Sequence, residues 1–407
     1  TPVGDATELA SLHTLWGETG WSRRQCALGS IKSMIGHLLT AAGAAGVIKT
    51  LLAFQHAQLP PTIHFQQAAS GNALNDGPFR VQTEVEPWDR RRPGVPRRAA
   101  VSAFGFGGIN AHLLLEEWNP EFHPAPAHPQ PSSSDITLSS EGFELPASSV
   151  EPLSSRSPNL PPPVAIIGMS ACIGRASSLA LFEHAVLNGE SLIGKRPQHR
   201  WKGCDGALPG LAGLSGCFLD ELTLESGAFN IPPLEIPDIL PQQLLMLKVA
   251  AEAMADANLP LRQDRPRTGA VIGIDFDFEA TGFHLRWFLE QRFPEWRKSR
   301  PGRLDDPQAL EWLAGLQQAC SPPLTANRTL GALGSMVASR IARAFRFGGP
   351  SFVVSAGEAS GMRALEIGVR ALQAGELDAV LAGAVDLCGE LRRIAAEQAV
   401  RPCSATG

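Results

Sequence analysis

A proline- and serine-rich stretch between Asn119 and Pro163 constrains how this chain of 407 residues can fold. It contains "PAPAHPQPSSSD" and "SPNLPPP" and has no periodic pattern of apolar residues. Because such a composition buries little apolar surface, it predicts a disordered linker over 119–163. We therefore expect two globular parts, 1–118 and 164–407.

Short apolar runs alternate with helical patterns in the second part. Near-continuous apolar strands separated by helices predict an α/β fold, with a parallel-rich sheet covered on both faces. The predicted strands are "VAIIGMS" (164–170), "GAVIGID" (269–275), "SFVVSA" (351–356) and "LDAVLAGAVD" (377–386), and the predicted helices are 181–189, 240–260, 330–345 and the one after "SFVVSA". The first part has a predicted helix over 37–57 and predicted strands over 97–104 and 112–118.

Composition excludes several classes of function. The net charge of −5 without a basic block argues against a nucleic-acid or membrane-surface partner. Seven scattered cysteines without a C-x-x-C pair argue against a zinc site or a disulfide framework, so we expect no metal and a reducing, cytoplasmic compartment. No apolar run reaches the length of a membrane span.

Two segments of the first part carry candidate site residues. In "KSMIGH", His37 could stabilise a developing negative charge with Lys32 in support, although a lone histidine is more often a packing residue. In "FGFGGINAH", the backbone around Gly105, Phe106, Gly107 and Gly108 could form an oxyanion hole, although such a turn is more often a simple hairpin. Either reading is open for each segment.

Glu358 lies where "SFVVSA" runs into the next helix, in "SAGEASG". Strand-to-helix corners often carry a nucleophile in α/β enzymes, and a helix start stabilises an anion. A glutamate is a poor acyl acceptor, because its acyl product would be an anhydride. Position alone leaves a structural cap and a functional group equally open.

These residues together resemble the ketosynthase (β-ketoacyl synthase) family. "TPVGD" with Glu8, "KSMIGH…AAGAAG" and "SAFGFGGINAHLLLEE" are similar to three motifs of that family, in its order and spacing. "VAIIGMS", "LPQQLLMLKVAAEAMADA" and "GGPSFVVSAGEASG…LDAVLAGAVD" resemble its opening segments. The resemblance implies a thiolase-like layered α/β/α/β/α fold, present as two incomplete ketosynthase-type domains joined by the linker.

The resemblance also implies roles for the candidate residues. His37 would be the second active-site histidine, Lys32 its supporting lysine, and Phe106 the gating-loop residue whose N–H lines the oxyanion hole. Glu358 stands where the family has its nucleophilic cysteine. A ketosynthase-like domain without that cysteine is similar to a chain length factor, the partner that pairs with an active ketosynthase.

The implied function is a segment of a multidomain lipid or polyketide synthase, as in polyunsaturated fatty acid synthases. Its acyltransferase chemistry would be decarboxylative Claisen condensation with malonyl-acyl carrier protein, and the segment alone, without the cysteine, would be inactive. No cofactor would bind directly, since phosphopantetheine arrives on the carrier. The expected partners are that carrier and the remaining halves of a ketosynthase and chain length factor pseudo-dimer.

Three alternatives remain from the sequence. The Glu358 domain could act as a malonyl-carrier decarboxylase, the whole chain could be a non-catalytic docking module, or the chain could come from a modular polyketide synthase with a degenerate ketosynthase. A carboxylate cannot donate a hydrogen bond to a thioester when ionised, which disfavours the first alternative.

Overall fold

The computed structural model describes residues 2–16, 20–67, 74, 77–105, 109–120, 161–201, 211, 213–224, 227, 229–277, 281–299, 306–387 and 389–400. Most of the predicted linker lies outside these ranges, so the boundaries 1–118, 119–163 and 164–407 stay a prediction. Three residues of the glycine-rich turn, Phe106, Gly107 and Gly108, also lie outside the described residues.

Helices and strands alternate along much of the described chain. The helices are α1 (Pro2–Trp16), α2 (Lys32–Ile35), α3 (Ala42–His56), α4 (Leu179–Asn188), α5 (Pro241–Asp256), α6 (Gly282–Ser299), α7 (Asp306–Cys320), α8 (Ala326–Gly331), α9 (Met336–Phe345), α10 (Ser360–Gln373) and α11 (Leu391–Val400). The strands are β1 (Cys26–Leu28), β2 (Gln58–Leu59), β3 (Phe79–Val81), β4 (Glu86–Pro87), β5 (Arg98–Phe104), β6 (Asn110–Glu116), β7 (Gly194–Lys195), β8 (Ser215–Gly216), β9 (Thr268–Ile274), β10 (Ser351–Val354) and β11 (Ala379–Val385).

A three-stranded parallel sheet with the order β10-β9-β11 forms the centre of the second part. Every residue of β9 is buried, which explains why its sequence is apolar without alternation. Ala270, Ile272 and Ile274 pack on one face against α5 and α9. The prediction of a parallel sheet covered on both faces is confirmed, since α10 covers the other face.

Close backbone approach joins α10 to the sheet. A Cβ atom at Gly273 would lie 2.6 Å from the backbone N of Gly361, so only glycine fits at this point of β9. At Gly368 of α10, a Cβ atom would lie 2.8 Å from Cγ1 of the Val380 side chain in β11. The helix therefore lies directly on β9 and β11, and its start is held at a fixed height above the strand ends.

The first part packs on the opposite side of α10. Its antiparallel hairpin β5–β6 covers α3, and α3 in turn contacts α10. The described chain is thus layered as hairpin, helix pair α3 and α10, parallel sheet, and helices α5 and α9. A hydrophobic cluster joins the two parts, because Met34, Ile35 and Leu52 pack with Phe182 and Val186 of α4.

Two secondary-structure predictions are wrong. "VAIIGMS" is not a strand and pairs with none of the described strands. The segment instead runs past the end of α5, where a Cβ at Gly168 would lie 2.6 Å from Ala253 O. There, Met169 N donates to Asp256 Oδ2 (2.8 Å) and Ser170 Oγ donates to Glu252 Oε2 (2.7 Å). The predicted helix 330–345 is interrupted, and α9 begins only at Met336.

Within the described ranges, the helices are too short or too polar for any of them to cross a bilayer.

Replacing Gly273 by alanine is expected to lower the free energy of unfolding by about 1–3 kcal/mol, because the new Cβ must displace the α10 backbone. Urea denaturation of the chain measures this change. The matched control is Gly315→Ala in α7, where no heavy atom lies within 4 Å of the new Cβ. In that variant the free energy of unfolding should be unchanged or rise by up to about 1 kcal/mol, because alanine favours the helix more than glycine does. Equal stabilities of the two variants would contradict the close approach.

Candidate functional site

The α2 turn carries Lys32 and places His37 just beyond its end. Ile31, Met34 and Ile35 are buried and anchor the turn in the core shared with α4, whereas Lys32 is exposed. Gly36 closes the turn at φ +74°, and its N–H donates to Lys32 O (2.8 Å). A side chain at this φ would be strained, so the glycine fixes the direction in which the chain leaves α2.

His37 has a defined tautomer in the neutral state. Its Nδ1 accepts a hydrogen bond of 3.0 Å from the backbone N–H of Leu39. Because a neutral imidazole carries one proton, that proton must be on Nε2. His37 can therefore present an Nε2–H donor, the group that stabilises negative charge on a carbonyl oxygen.

Glu8 of α1 lies near Lys32, and both residues line a cavity that is described below. Partial burial raises the pKa of the Glu8 carboxyl, and the Lys32 and His112 charges oppose that rise. The Lys32 charge thus acts on the Glu8 carboxyl beside the α2 turn. Glu8, from the first motif, thus lies near Lys32 of the "KSMIGH" motif.

The corner that bears Glu358 is a tight turn held by Ser360. Ser360 Oγ accepts from Ala356 N (2.8 Å) and donates to Gly357 O (2.6 Å), and Gly357 has φ +54°. The N-cap of α10 is Ala359, whose side chain makes no capping hydrogen bond. Glu358 therefore precedes the N-cap, and its side chain is buried, with 7% of the residue exposed.

Gly105, just after β5, lies near this corner. Its N–H donates to Ile109 O (2.8 Å) across the turn. A Cβ at Gly105 would lie 3.4 Å from Ala356 O and 3.5 Å from Glu358 Oε2. Gly105 of the first part and the corner of the second part therefore approach each other at the Glu358 carboxylate.

A second contact joins the segment after His37 to the sheet. Thr40 is fully buried, and its Oγ1 donates to Val385 O (2.9 Å) at the end of β11. Thr40 O lies 3.0 Å from the Cβ position of Gly361, in the first turn of α10. Thr40 and Gly361, which follow His37 and Glu358 by three residues each, thus lie side by side.

One cavity of about 2580 Å³ joins these groups. The structure brings together four of the predicted site residues on its wall: Lys32, His37, Gly105 and Glu358. Phe106, Gly107 and Gly108 are not among the described residues. Much of the remaining wall is apolar and comes from both parts of the chain, for example Ala45, Ile48, Leu245, Met246 and Val249.

Among the described residues, the cysteines on the cavity wall are poor nucleophiles. Burial raises the pKa of the Cys26 and Cys172 thiols, and it raises the pKa of Cys217 to about 11. Because the thiolate is the reactive form, these three thiols are unsuited to acyl transfer at neutral pH. Within the described ranges, His, Cys, Asp and Glu side chains form no group of three or more that could hold a metal ion.

Family models match the chain with the C-terminal domain of a family first and its N-terminal domain second. The β-ketoacyl synthase C-terminal domain matches residues 1–66, a ketoacyl-synthetase C-terminal extension matches residues 70–150, and the N-terminal domain matches residues 162–407, more than half of the chain. The chain belongs to the β-ketoacyl synthase family. The predicted α/β thiolase-like fold is thereby confirmed.

The relatives of the chain include a polyunsaturated fatty acid synthase and a polyketide synthase. A polyunsaturated fatty acid synthase polypeptide of Thraustochytrium sp. is 29% identical over 403 residues, which are 97% of this chain and 17% of the relative. The polyketide synthase PksL of Bacillus subtilis is 45% identical over 121 residues, 30% of this chain and 3% of the relative. The solved structure "PfaC Keto synthase-Chain length factor" is 30% identical with a TM-score of 0.52, over 98% of this chain and 39% of that chain. The chain thus spans less than half the length of each relative.

Several residues that build the site were missed from the sequence. Thr40 and Ser360 are small polar residues inside apolar stretches, and their contacts are made across the fold. Lys49 is buried in α3 on the cavity wall. Its charge within the apolar run "GVIKTLLAF" was the one signal that could have singled it out.

The hydrogen bond from Leu39 predicts the Nε2-protonated tautomer of neutral His37. Two-dimensional ¹⁵N–¹H NMR of the histidine rings at a pH above their titration should show a protonated Nε2 and an unprotonated Nδ1. Comparison with His37→Asn assigns the signal. A protonated Nδ1 on this ring would contradict the geometry of the site.

Proposed function

We propose that the chain is a segment of a multidomain lipid or polyketide synthase that joins acyl units by decarboxylative condensation. Residues 1–118 would be the C-terminal part of a ketosynthase, 119–163 a linker, and 164–407 the N-terminal part of a chain length factor. The inverted order of the family models supports this arrangement. So does the similarity of nearly the whole chain to one ketosynthase and chain length factor structure.

The reaction proposed for the intact synthase begins with a malonyl thioester on acyl carrier protein. Loss of CO₂ leaves the bonding electron pair on the α-carbon as an enolate, whose oxygen bears the negative charge. The α-carbon then attacks an acyl thioester, a C–C bond forms, and the thiolate leaves from the tetrahedral intermediate. Each step places negative charge on an oxygen, so hydrogen-bond donors aimed at that oxygen lower the barrier.

His37 is suited to the first of these steps. Its Nδ1 is occupied by Leu39 N–H, which leaves Nε2–H as the donor toward an enolate oxygen. Lys32 would add positive charge on the same cavity wall, and the nearby Glu8 would offset part of it when ionised. In the glycine-rich turn, the backbone N–H of Phe106, the gating residue that the family resemblance implies, would serve the second oxyanion.

The proposed role of the second part is to shape the cavity without forming an acyl-enzyme. Glu358 occupies the corner where the family resemblance places a nucleophilic cysteine, and its acyl product would be an anhydride prone to hydrolysis. The described thiols on the cavity wall have raised pKa values and do not replace it. Apolar walls of the cavity suit a growing acyl chain.

The observation that carries the proposal is the shared cavity. An Nε2–H donor from the first part and a buried carboxylate at the nucleophile corner of the second part both line it. The carrier would deliver malonyl and acyl groups on phosphopantetheine, in a cytoplasmic assembly where ketosynthase and chain length factor form a pseudo-dimer.

A second candidate function is malonyl-carrier decarboxylation by the Glu358 domain. It is favoured by one observation, namely that the Glu358 carboxyl lies against Gly105 inside the cavity. When protonated, this carboxyl could donate a hydrogen bond to a thioester oxygen.

In the intact synthase, His37→Ala is expected to lower condensation by about 10²–10³-fold, because one donor to the developing oxyanion is lost. The rate of product formation from malonyl-acyl carrier protein measures this effect. His184→Ala, at an exposed histidine of α4, is the matched control and should keep full activity. Undiminished condensation by His37→Ala would instead support a non-catalytic docking module.

Glu358→Ala separates the two candidate functions. Our proposal expects that the release of CO₂ from malonyl-acyl carrier protein stays within about twofold, since Glu358 takes no part in the chemistry. Loss of CO₂ release in Glu358→Ala, with His37 intact, would support the decarboxylase.

A further inference from the structure

Lys49 is a buried amine that the proposed chemistry does not use. It lies in the middle of α3, and only 8% of the residue is exposed. Burial lowers the pKa of its ammonium to about 8. Such a group costs free energy to bury and needs hydrogen-bond partners to be tolerated.

The Lys49 ammonium bridges two segments that α3 separates in sequence. Its Nζ donates to Ser30 O (3.5 Å) and to Pro61 O (3.4 Å). Ser30 lies at the entry to α2, and Pro61 lies in the segment that follows β2. One side chain thus ties the chain before the α2 turn to the chain after α3.

Ser30 is fixed through all three of its polar groups. Its N–H donates to Thr62 Oγ1 (3.1 Å), its Oγ accepts from Lys32 N (3.2 Å), and its O accepts from Lys49. The α2 turn starts from this residue, and its other end leads through Gly36 to His37. A shift of Ser30 would therefore be transmitted along one turn of helix to the His37 ring.

Stability alone does not account for a lysine at this position. A methionine has nearly the same length and would fill the same space without a buried charge. The two hydrogen bonds of Nζ are at the long end of the usual range, so they offset only part of the cost of burial. The feature that a methionine could not supply is the link between the Ser30 and Pro61 carbonyls.

We propose that Lys49 is a positioning residue for the α2 turn: its ammonium holds the Ser30 and Pro61 carbonyls together and thereby orients His37 in the cavity. The catalytic consequence rests on the role proposed for His37 above. The structural consequence, the orientation of the His37 ring, does not depend on it.

Lys49→Met tests this role in two independent readouts. In the chain itself, the ¹⁵N and ¹H NMR signals of the His37 ring should shift or broaden, because its hydrogen bond from Leu39 is no longer held in one geometry. In the intact synthase, kcat for condensation from malonyl-acyl carrier protein should fall on the order of tenfold or more, with KM changed less than about twofold. Lys49→Arg keeps the charge and the donors, so it should retain most of the native His37 ring signals and most of kcat.

Lys298→Met is the matched control, since this lysine is exposed in α6, and it should leave the ring signals and kcat unchanged. Lys49→Gln keeps an amide donor for one carbonyl and should give an intermediate loss, which also serves if Lys49→Met fails to fold. His37 ring signals that are unchanged in the folded Lys49 variants would overturn the inference. If the ring signals change but His37→Ala condenses normally, the positioning role stands and the proposed function fails.

Discussion

The contact between α3 and α10 is the interaction on which the rest of the described structure depends. A Cβ at Gly43 of α3 would overlap the Met362 side chain of α10, so the two helices approach as closely as their side chains allow. α3 packs on the hairpin β5–β6, and α10 packs on the parallel strands and, through Met362 and Leu365, on the hairpin as well. Their contact therefore sets the separation of the two sheets and makes one cavity out of two parts of the chain.

The site follows from this layering. Gly105 reaches Glu358 because β5 ends above the start of α10, and Thr40 reaches Val385 because α3 begins beside the end of β11. Glycines at 43, 273 and 361 occupy close approaches between neighbouring layers, where a side chain would displace a neighbour. The polar groups of the site thus lie at the ends of elements whose interiors are held by packing.

Much of this structure could be predicted from local pattern. The parallel strands β9, β10 and β11 were readable because their sequences are apolar nearly throughout, and the end of α4 was readable because Gly189 follows its last residue. "VAIIGMS" was misread because an apolar run alone does not show whether a segment pairs in a sheet or, as here, hydrogen-bonds to the end of a helix. The hydrophobic cluster that contains Met34 and Phe182 could not be predicted, because no local sequence pattern shows that the parts on either side of the predicted linker pack together.

For the site, the motifs identified candidate residues, and the structure showed their hydrogen bonds and burial. The tautomer of His37 depends on Leu39 N–H, and the burial of Glu358 depends on the turn held by Ser360. Neither relation is visible as a spacing in the sequence. Lys49 shows the same limit, because its partners Ser30 and Pro61 lie on either side of it in the chain and meet only when α3 is formed.

A double-mutant cycle between Gly43 and Met362 tests the central contact most directly. Gly43→Ala should destabilise the chain by about 1–3 kcal/mol in urea denaturation, because the new Cβ overlaps the methionine. In the Met362→Ala background the same change should be neutral or stabilising, since the space is free and alanine favours the helix. A coupling above about 0.5 kcal/mol is the predicted result. An equal effect of Gly43→Ala in both backgrounds would contradict the packing of α3 on α10, and with it the shared cavity.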